Sequence, residues 1–216
     1  MKRLLVIGAG GHGIVVADAA SMTDNWSDIA FVDDRFPDLK KVATWPVVGT
    51  VDSLNQLAAD YDAAVVAIGN PKVRIALMRK ASRAGLSIAT IVHPSAVVSR
   101  LAHIGGGTVL LANAVVNARA ILGEGCIVNT AATVDHDCRI ANGAHIAPGA
   151  HLAADVFVGE RSWIGAGCAV REQTHVGNDV MVGAGAAVVS SVADKSTVAG
   201  VPAKPLLTAA RRKMAG

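Results

Sequence analysis

From Val98 to Val188 every sixth residue is Val, Ile or Leu, running through Ile104, Leu110, Val116, Leu122, Val128, Val134 and onward without an insertion. That period fits neither an amphipathic helix nor an alternating strand. It matches the hexapeptide repeat of a β-helix, in which each repeat forms one flat side of a coil. Three sides give an 18-residue coil, so Val98, Val116, Val134, Leu152, Val170 and Val188 are predicted to stack as one apolar column at roughly 4.8 Å per coil. About five coils follow from the length of the repeat. Gly, Ala or Asn often comes directly after the aliphatic residue, as in Ile104-Gly105 and Val158-Gly159, and is predicted to make the corners, where a large side chain would clash.

The first ninety or so residues carry a different pattern. Leu4 to Ile7 reads as a short buried strand, then comes Gly8-Ala9-Gly10-Gly11-His12-Gly13, then an apolar helical segment from Ile14 to Ala20. This is a Gly-x-Gly-x-x-Gly pattern in its strand-to-helix setting. A second strand, Ile29 to Val32, ends in Asp33-Asp34, where a dinucleotide fold places its ribose-binding acid. Further on lie Val47-Val48-Gly49, a helix opening at Asp52, a strand from Ala63 to Ile68, and a turn at Gly69-Asn70-Pro71 with Asn70 as N-cap. A strand from Ser87 to Val92 closes the unit. The expected organisation is a small Rossmann-like α/β domain over 1–92, a parallel β-helix over 93–204 and a C-terminal tail over 205–216.

So short an α/β unit lacks room for both halves of a dinucleotide fold, which favours a nucleotide sugar over NAD. One half-site is enough for a diphosphate, bound by the open backbone of Gly10 to Gly13 and the N–H groups at the helix start. The alternative, in which the glycines serve only strand–helix packing and Asp33 and Asp34 are turn residues, remains open at this level. As ligands, the two acids would suit a cationic amine.

Composition narrows the classes. The chain has 216 residues, 52% of them hydrophobic, but no apolar run reaches the ~20 residues of a membrane span. The start does not read as a signal peptide, so a cytoplasmic location is expected. Net charge is +3, too little to imply nucleic acid, and the basic run Arg211-Arg212-Lys213 falls in a C-terminal helix or tail. Cys126, Cys138 and Cys168 lack Cys-x-x-Cys spacing, so buried reduced thiols are expected rather than disulfides or zinc.

The candidate chemistry lies in Asp135-His136-Asp137-Cys138. An imidazole beside a carboxylate is a general-base arrangement, in which the acid sets the tautomer and stabilises the imidazolium. The plainer alternative is an exposed histidine among surface acids. His145 is half a coil further on, hence on another side of the prism. If both rings serve one site, neighbouring subunits must pack their β-helices side by side, most simply as a homotrimer with three sites. His151 and His175 read as surface or packing residues. A histidine zinc site, as in the gamma-class carbonic anhydrases, would need two histidines five apart, and from His93 onward no such pair occurs. No metal is expected, and thiol catalysis by Cys138 has nothing in the sequence to activate it.

Taken together, the glycine-rich start, Phe31-Val32-Asp33-Asp34, Ile68-Gly69-Asn70, His93-Pro94-Ser95-Ala96, the coils with Asp135-His136-Asp137-Cys138 and the closing Gly200-Val201-Pro202-Ala203-Lys204 resemble one family. The chain is similar to the bacterial sugar O-acyltransferases of the sialic acid O-acetyltransferase type, which include nucleotide-sugar N-acetyltransferases. The resemblance implies a left-handed β-helix, a trimer and acetyl-CoA as cosubstrate. It implies His136 as catalytic base with Asp137 beside it, His145 near the thioester, Asn129 in the coil before the base, and the Ala154 N–H facing the acetyl carbonyl where some relatives have glycine. It also implies Asp33, Asp34, Gly69, Asn70 and Asn129 on the substrate side; acetyl-CoA is expected along Trp163, Ile164 and Gly165, towards Arg171 or Lys195. Close relatives often carry Glu where this chain has Asp137. The expected activity is N-acetylation of a nucleotide-linked 4-amino-deoxysugar for bacterial surface glycans. O-acetylation of sialic acid or a related sugar is the nearest rival, and an NAD-binding module on a structural solenoid is another.

Overall fold

The fold is taken from a computed structural model and is described for residues 2–206; the basic run Arg211-Arg212-Lys213 lies outside the described residues. The N-terminal unit comprises β1 (Lys2–Ile7), α1 (Gly11–Ser21), β2 (Trp26–Val32), β3 (Lys41–Val42), β4 (Trp45–Gly49), α2 (Leu54–Leu57), β5 (Ala63–Val66), α3 (Pro71–Arg83) and β6 (Ser87–Ile88). They form one sheet in the order β3-β4-β2-β1-β5-β6, parallel except for the β3–β4 edge. Leu4, Leu5, Val6 and Ile7 are all fully buried because both faces of β1 are covered, which explains a continuous apolar run rather than an alternating one. Leu4 and Val6 pack with α1 and with Val109 and Leu111 of the solenoid, while Leu5 and Ile7 pack with Met78 and Ala81 of α3.

The helix expected at Asp52 is a 3-10 turn, Val51–Ser53, running into the short α2. The strand expected over Ser87 to Val92 is two strands. Ser87–Ile88 pairs with β5, whereas Ile91–Val92 pairs with Val109–Leu110 and so begins the solenoid. Ala89-Thr90 carries the chain between the sheets, which places the first solenoid strand slightly ahead of residue 93.

The rest is a left-handed parallel β-helix of mostly two-residue strands in three sheets, closed by an antiparallel pairing of Thr197–Ala199 with Lys204–Pro205. From Ile91 to Val188 the rungs pair residue i with i+18, as in Val97↔Val115, Val115↔Thr133 and Thr133↔His151, whereas the last coil is two residues shorter, pairing Met181 with Thr197 and Val176 with Val192. The aliphatic residues of the six-residue period face inward, and from Leu110 to Val188 none is more than 2% exposed. One sheet runs through Val109, Ile127, His145 and Trp163; the second through Val115, Thr133 and His151; the third through Ile121, Arg139 and Phe157. The first sheet faces the N-terminal unit.

The corners differ from expectation. Backbone with positive φ recurs every six residues from Gly107 through Asn113, Arg119, Gly125, Ala131 and Asp137 to Gly185, three residues after each inward aliphatic. The glycine directly after the aliphatic has another task. At Gly105 a Cβ would overlap the carbonyl carbon of Gly123, and at Gly159 it would come within 2.5 Å of that of Gly177. These glycines let successive coils approach, while the turn itself is made further along.

Candidate active site

His136 sits at the corner between the second and third sheets, the edge of the prism opposite the first sheet. Its ring is half-exposed and its Nδ1 lies 2.7 Å from Oδ2 of Asp137. Asp137 is in the left-handed region at φ 61°, a conformation aspartate tolerates, and this turns the carboxylate back toward its neighbour's ring. With Nδ1–H donated to Asp137, the Nε2 lone pair is left to accept a proton. Asp137 also receives a two-pronged contact from Arg119, Nε to Oδ1 and Nη2 to Oδ2, both at 2.6 Å. That guanidinium first, and His136 second, hold the Asp137 carboxyl well below the usual carboxylate range. Asp135 accepts from Asn117 Nδ2 at 2.8 Å and from the backbone N–H of His136 at 2.7 Å.

The ring opens on a cleft of about 730 Å³ that Arg119, Asp137, Arg139, Ala154 and Glu172 also line. Ala154 lies one coil beyond His136, and among the described residues its N–H has no hydrogen-bond acceptor. Cys138, next in sequence, points the other way. Its Sγ is buried and donates to the Ala153 carbonyl at 3.1 Å, and burial pushes the thiol up to about 11. Cys126 and Cys168 are buried in the same manner. A thiolate mechanism has no support in this environment.

His145 is on the first sheet, beneath the N-terminal unit, so within one chain it belongs to a different surface from His136. Trp163, one coil on, packs over it with ring centroids 4.0 Å apart, and His12 of the glycine-rich turn stacks toward it at 6.5 Å. Asn129 Oδ1 accepts from Thr130 N–H, which turns Nδ2 toward His145 Nε2 at 3.1 Å. His145 Nε2 therefore accepts and its proton is on Nδ1, a buried atom without a partner among the described residues, as is Nε2 of His12. Burial, with the Arg74 charge second, lowers His12 to about 4 and His145 to about 3, so both rings are neutral near pH 7. Asn129 thus joins the His145 cluster rather than the glycine-rich turn.

The glycine-rich turn divides into two functions. A Cβ on Gly13 would overlap the Gly8 carbonyl oxygen, so Gly13 serves strand–helix packing, a correction to its reading as a ligand contact. Gly10, Gly11 and Gly69 have nothing within 4 Å of an added Cβ, and no side chain caps the start of α1. Their backbone is open to a ligand. Asp33 accepts from Ala9 N–H at 2.8 Å and pairs with Arg35, which draws its pKa down to about 2. Its charge is already matched inside the chain, so the expected pairing of Asp33 with a cationic amine is not supported. Asp34 holds Val51 N–H and shares a small cleft with Gly8, Ile68 and Val73. Asn70 caps α3 through Lys72 and Val73 N–H, with Pro71 at the first helical position. Ile164 is wholly inside the coil and Gly165 is a close-stacking glycine, so of the three residues expected along acetyl-CoA only Trp163 presents a side chain outward.

Arg74 had no signal in the sequence. It is fully buried, has no carboxylate partner among the described residues, and its guanidinium donates to the carbonyls of Ile68, Gly69, Gly125 and Gly143. It therefore ties the loop before α3 to two solenoid corners. Among the described residues there is no group of three or more His, Cys, Asp or Glu side chains that could hold a metal, and no helix is long and apolar enough to cross a membrane.

Residues 3–81 match the family model described as the PglD N-terminal domain. Over 114 residues the chain is 36% identical to a UDP-N-acetylbacillosamine N-acetyltransferase of Bacillus subtilis, a match spanning 52% of each protein, about half the length of that relative. Two solved structures match almost end to end. The acetyltransferase domain of PglB from Neisseria gonorrhoeae in complex with acetyl coenzyme A is 47% identical, covering 95% of this chain and 99% of that one, with a TM-score of 0.92. PerB from Caulobacter crescentus in complex with CoA and GDP-perosamine is 37% identical, covering 96% and 98%, with a TM-score of 0.91. On the strength of these full-length matches, the chain belongs to the nucleotide-aminosugar acetyltransferase family.

Proposed function

We propose that this protein transfers the acetyl group of acetyl-CoA to the amino group of a nucleotide-linked 4-amino-deoxysugar, in the cytoplasm, as a step in bacterial surface glycan synthesis. The observation that carries this reading is the His136–Asp137 pair, a half-exposed imidazole held by a carboxylate in a cleft with an unused backbone N–H. The sugar nitrogen attacks the thioester carbonyl, forming the C–N bond, and His136 Nε2 takes the proton the nitrogen sheds. Asp137 stabilises the imidazolium, and the Ala154 N–H stabilises the oxyanion. The C–S bond then breaks, and the CoA sulfur leaves with the proton returned by His136.

The donor end is supported by His145, whose buried Nδ1–H lacks an acceptor among the described residues and suits the thioester oxygen. The diphosphate is assigned to the open backbone at Gly10 and Gly11, next to the start of α1. Because His136 and His145 lie on opposite sides of one prism, a site using both takes His136 from one subunit and His12 and His145 from its neighbour. A homotrimer with three such clefts closes the arrangement. Buried, unpaired thiols accord with a reducing compartment.

The test is to follow CoA thiol release with acetyl-CoA and a panel of 4-amino-deoxysugar nucleotides, with sialic acid alongside, and to identify the product bond by mass spectrometry. An amide on one aminosugar nucleotide is expected. An ester on sialic acid would replace this reading with O-acetylation.

A further inference from the structure

Arg119 lies one 18-residue coil before Asp137, at the same left-handed corner position, so the two side chains stack along the prism edge. Its fork takes both carboxylate oxygens, while Oδ2 is shared with His136 Nδ1. A bidentate guanidinium fixes the plane of a carboxylate in a way a single contact does not. That plane decides where the imidazole points. We propose that Arg119 is a positioning residue for the acetyl-transfer reaction, holding Asp137 so that His136 Nε2 faces the cleft and setting how strongly the carboxylate stabilises the imidazolium. The proposal rests on the reading of His136 as the base.

Two consequences follow from the charges. An uncompensated Asp137 would favour the protonated ring, so loss of Arg119 makes the base harder to keep neutral. The fork also stops Asp137 from turning away, so its loss lets the ring swing. The other charged groups about the ring are Asp135 on its own corner, Asp155 on the next coil, and Arg139 and Glu172 across the cleft; none of them forms an ion pair with Asp137 among the described residues.

The experiment compares kcat/KM against pH for the wild-type chain, Arg119→Gln and Arg119→Lys, with thermal melts to verify folding. In Arg119→Gln the acidic limb moves up by about one unit and kcat falls about tenfold or more, while KM for both substrates stays put. Arg119→Lys keeps the charge without the fork, so kcat falls and the limb stays near its wild-type position. An unmoved limb in a folded Arg119→Gln protein overturns the assignment. So does a raised KM for either anionic substrate with kcat unchanged, which would make Arg119 a phosphate contact. His136→Ala in the same assay separates the two levels: an active His136→Ala removes the base reading itself, whereas an inactive one beside an unaffected Arg119→Gln removes only the role of Arg119.

Discussion

His136→Ala is expected to lower kcat by about 10² to 10⁴, the usual contribution of a positioned general base. The side chain is half-exposed at a solenoid corner and fills no core space, so the variant should melt at the wild-type temperature. Acetyl-CoA binding should persist, because His145, Asn129 and Trp163, which we assign to the donor side, belong to another face of the prism. Steady-state rates, with calorimetric titration of acetyl-CoA, separate lost chemistry from lost binding. A wild-type rate would mean that the amine needs no base from the protein, and the Asp137 and Arg119 arrangement would then be structural.

Arg74→Met should produce the largest loss of stability. The guanidinium serves four carbonyls in a region closed to water, and methionine would fill much of the volume while leaving those acceptors unpaired. Leaving buried partners of a charged group unsatisfied costs about 3 to 5 kcal/mol. In a chain of this size that lowers Tm by roughly 10 °C. Activity should suffer at the sugar side first, because Ile68 and Gly69 lose the anchor that sets their loop against the coils. Differential scanning calorimetry checks the first part, and KM for the nucleotide sugar in the surviving folded protein checks the second. Wild-type stability in Arg74→Met would show that the two units are held by their apolar contacts alone.

Much of this architecture is written in local pattern. The six-residue period marks the inward positions from Leu110 to Val188, because a β-helix side has the same length at every turn and an insertion would break the stack. The Asn70-Pro71 helix start was equally legible, since capping is a local property. His136 and Asp137 could be paired from adjacency alone. The 18-residue spacing carries a further signal: residues one coil apart are neighbours, so Arg119 with Asp137, Asn117 with Asp135 and Arg161 with Asp179 form ladders legible from the spacing.

Other features depend on contacts far apart in sequence. Arg74 reads as one more basic residue on a helix surface, and only the convergence of Gly69, Gly125 and Gly143 makes it a buried cation. The neutral state of His12 and His145 likewise comes from burial where the glycine-rich turn meets the first sheet. The division of labour within the glycine motif is also tertiary. Gly13 is needed because the Gly8 carbonyl oxygen lies where its Cβ would be, while Gly10 and Gly11 face open space.

In the proposed assembly each site is shared, with the base from one subunit and the glycine-rich turn from another. Gly11→Glu puts a carboxylate where the diphosphate is assigned, and the open space around Gly11 lets the chain fold normally. Alone, Gly11→Glu and His136→Ala should each be nearly inactive. Co-expressed from differently tagged chains and purified as mixed oligomers, they should recover about a third of wild-type activity, because a trimer holding both chains has one cleft in three that pairs an intact His136 with an intact Gly11. Activity no higher than that of the separate variants would contradict the shared site and require each chain to work alone.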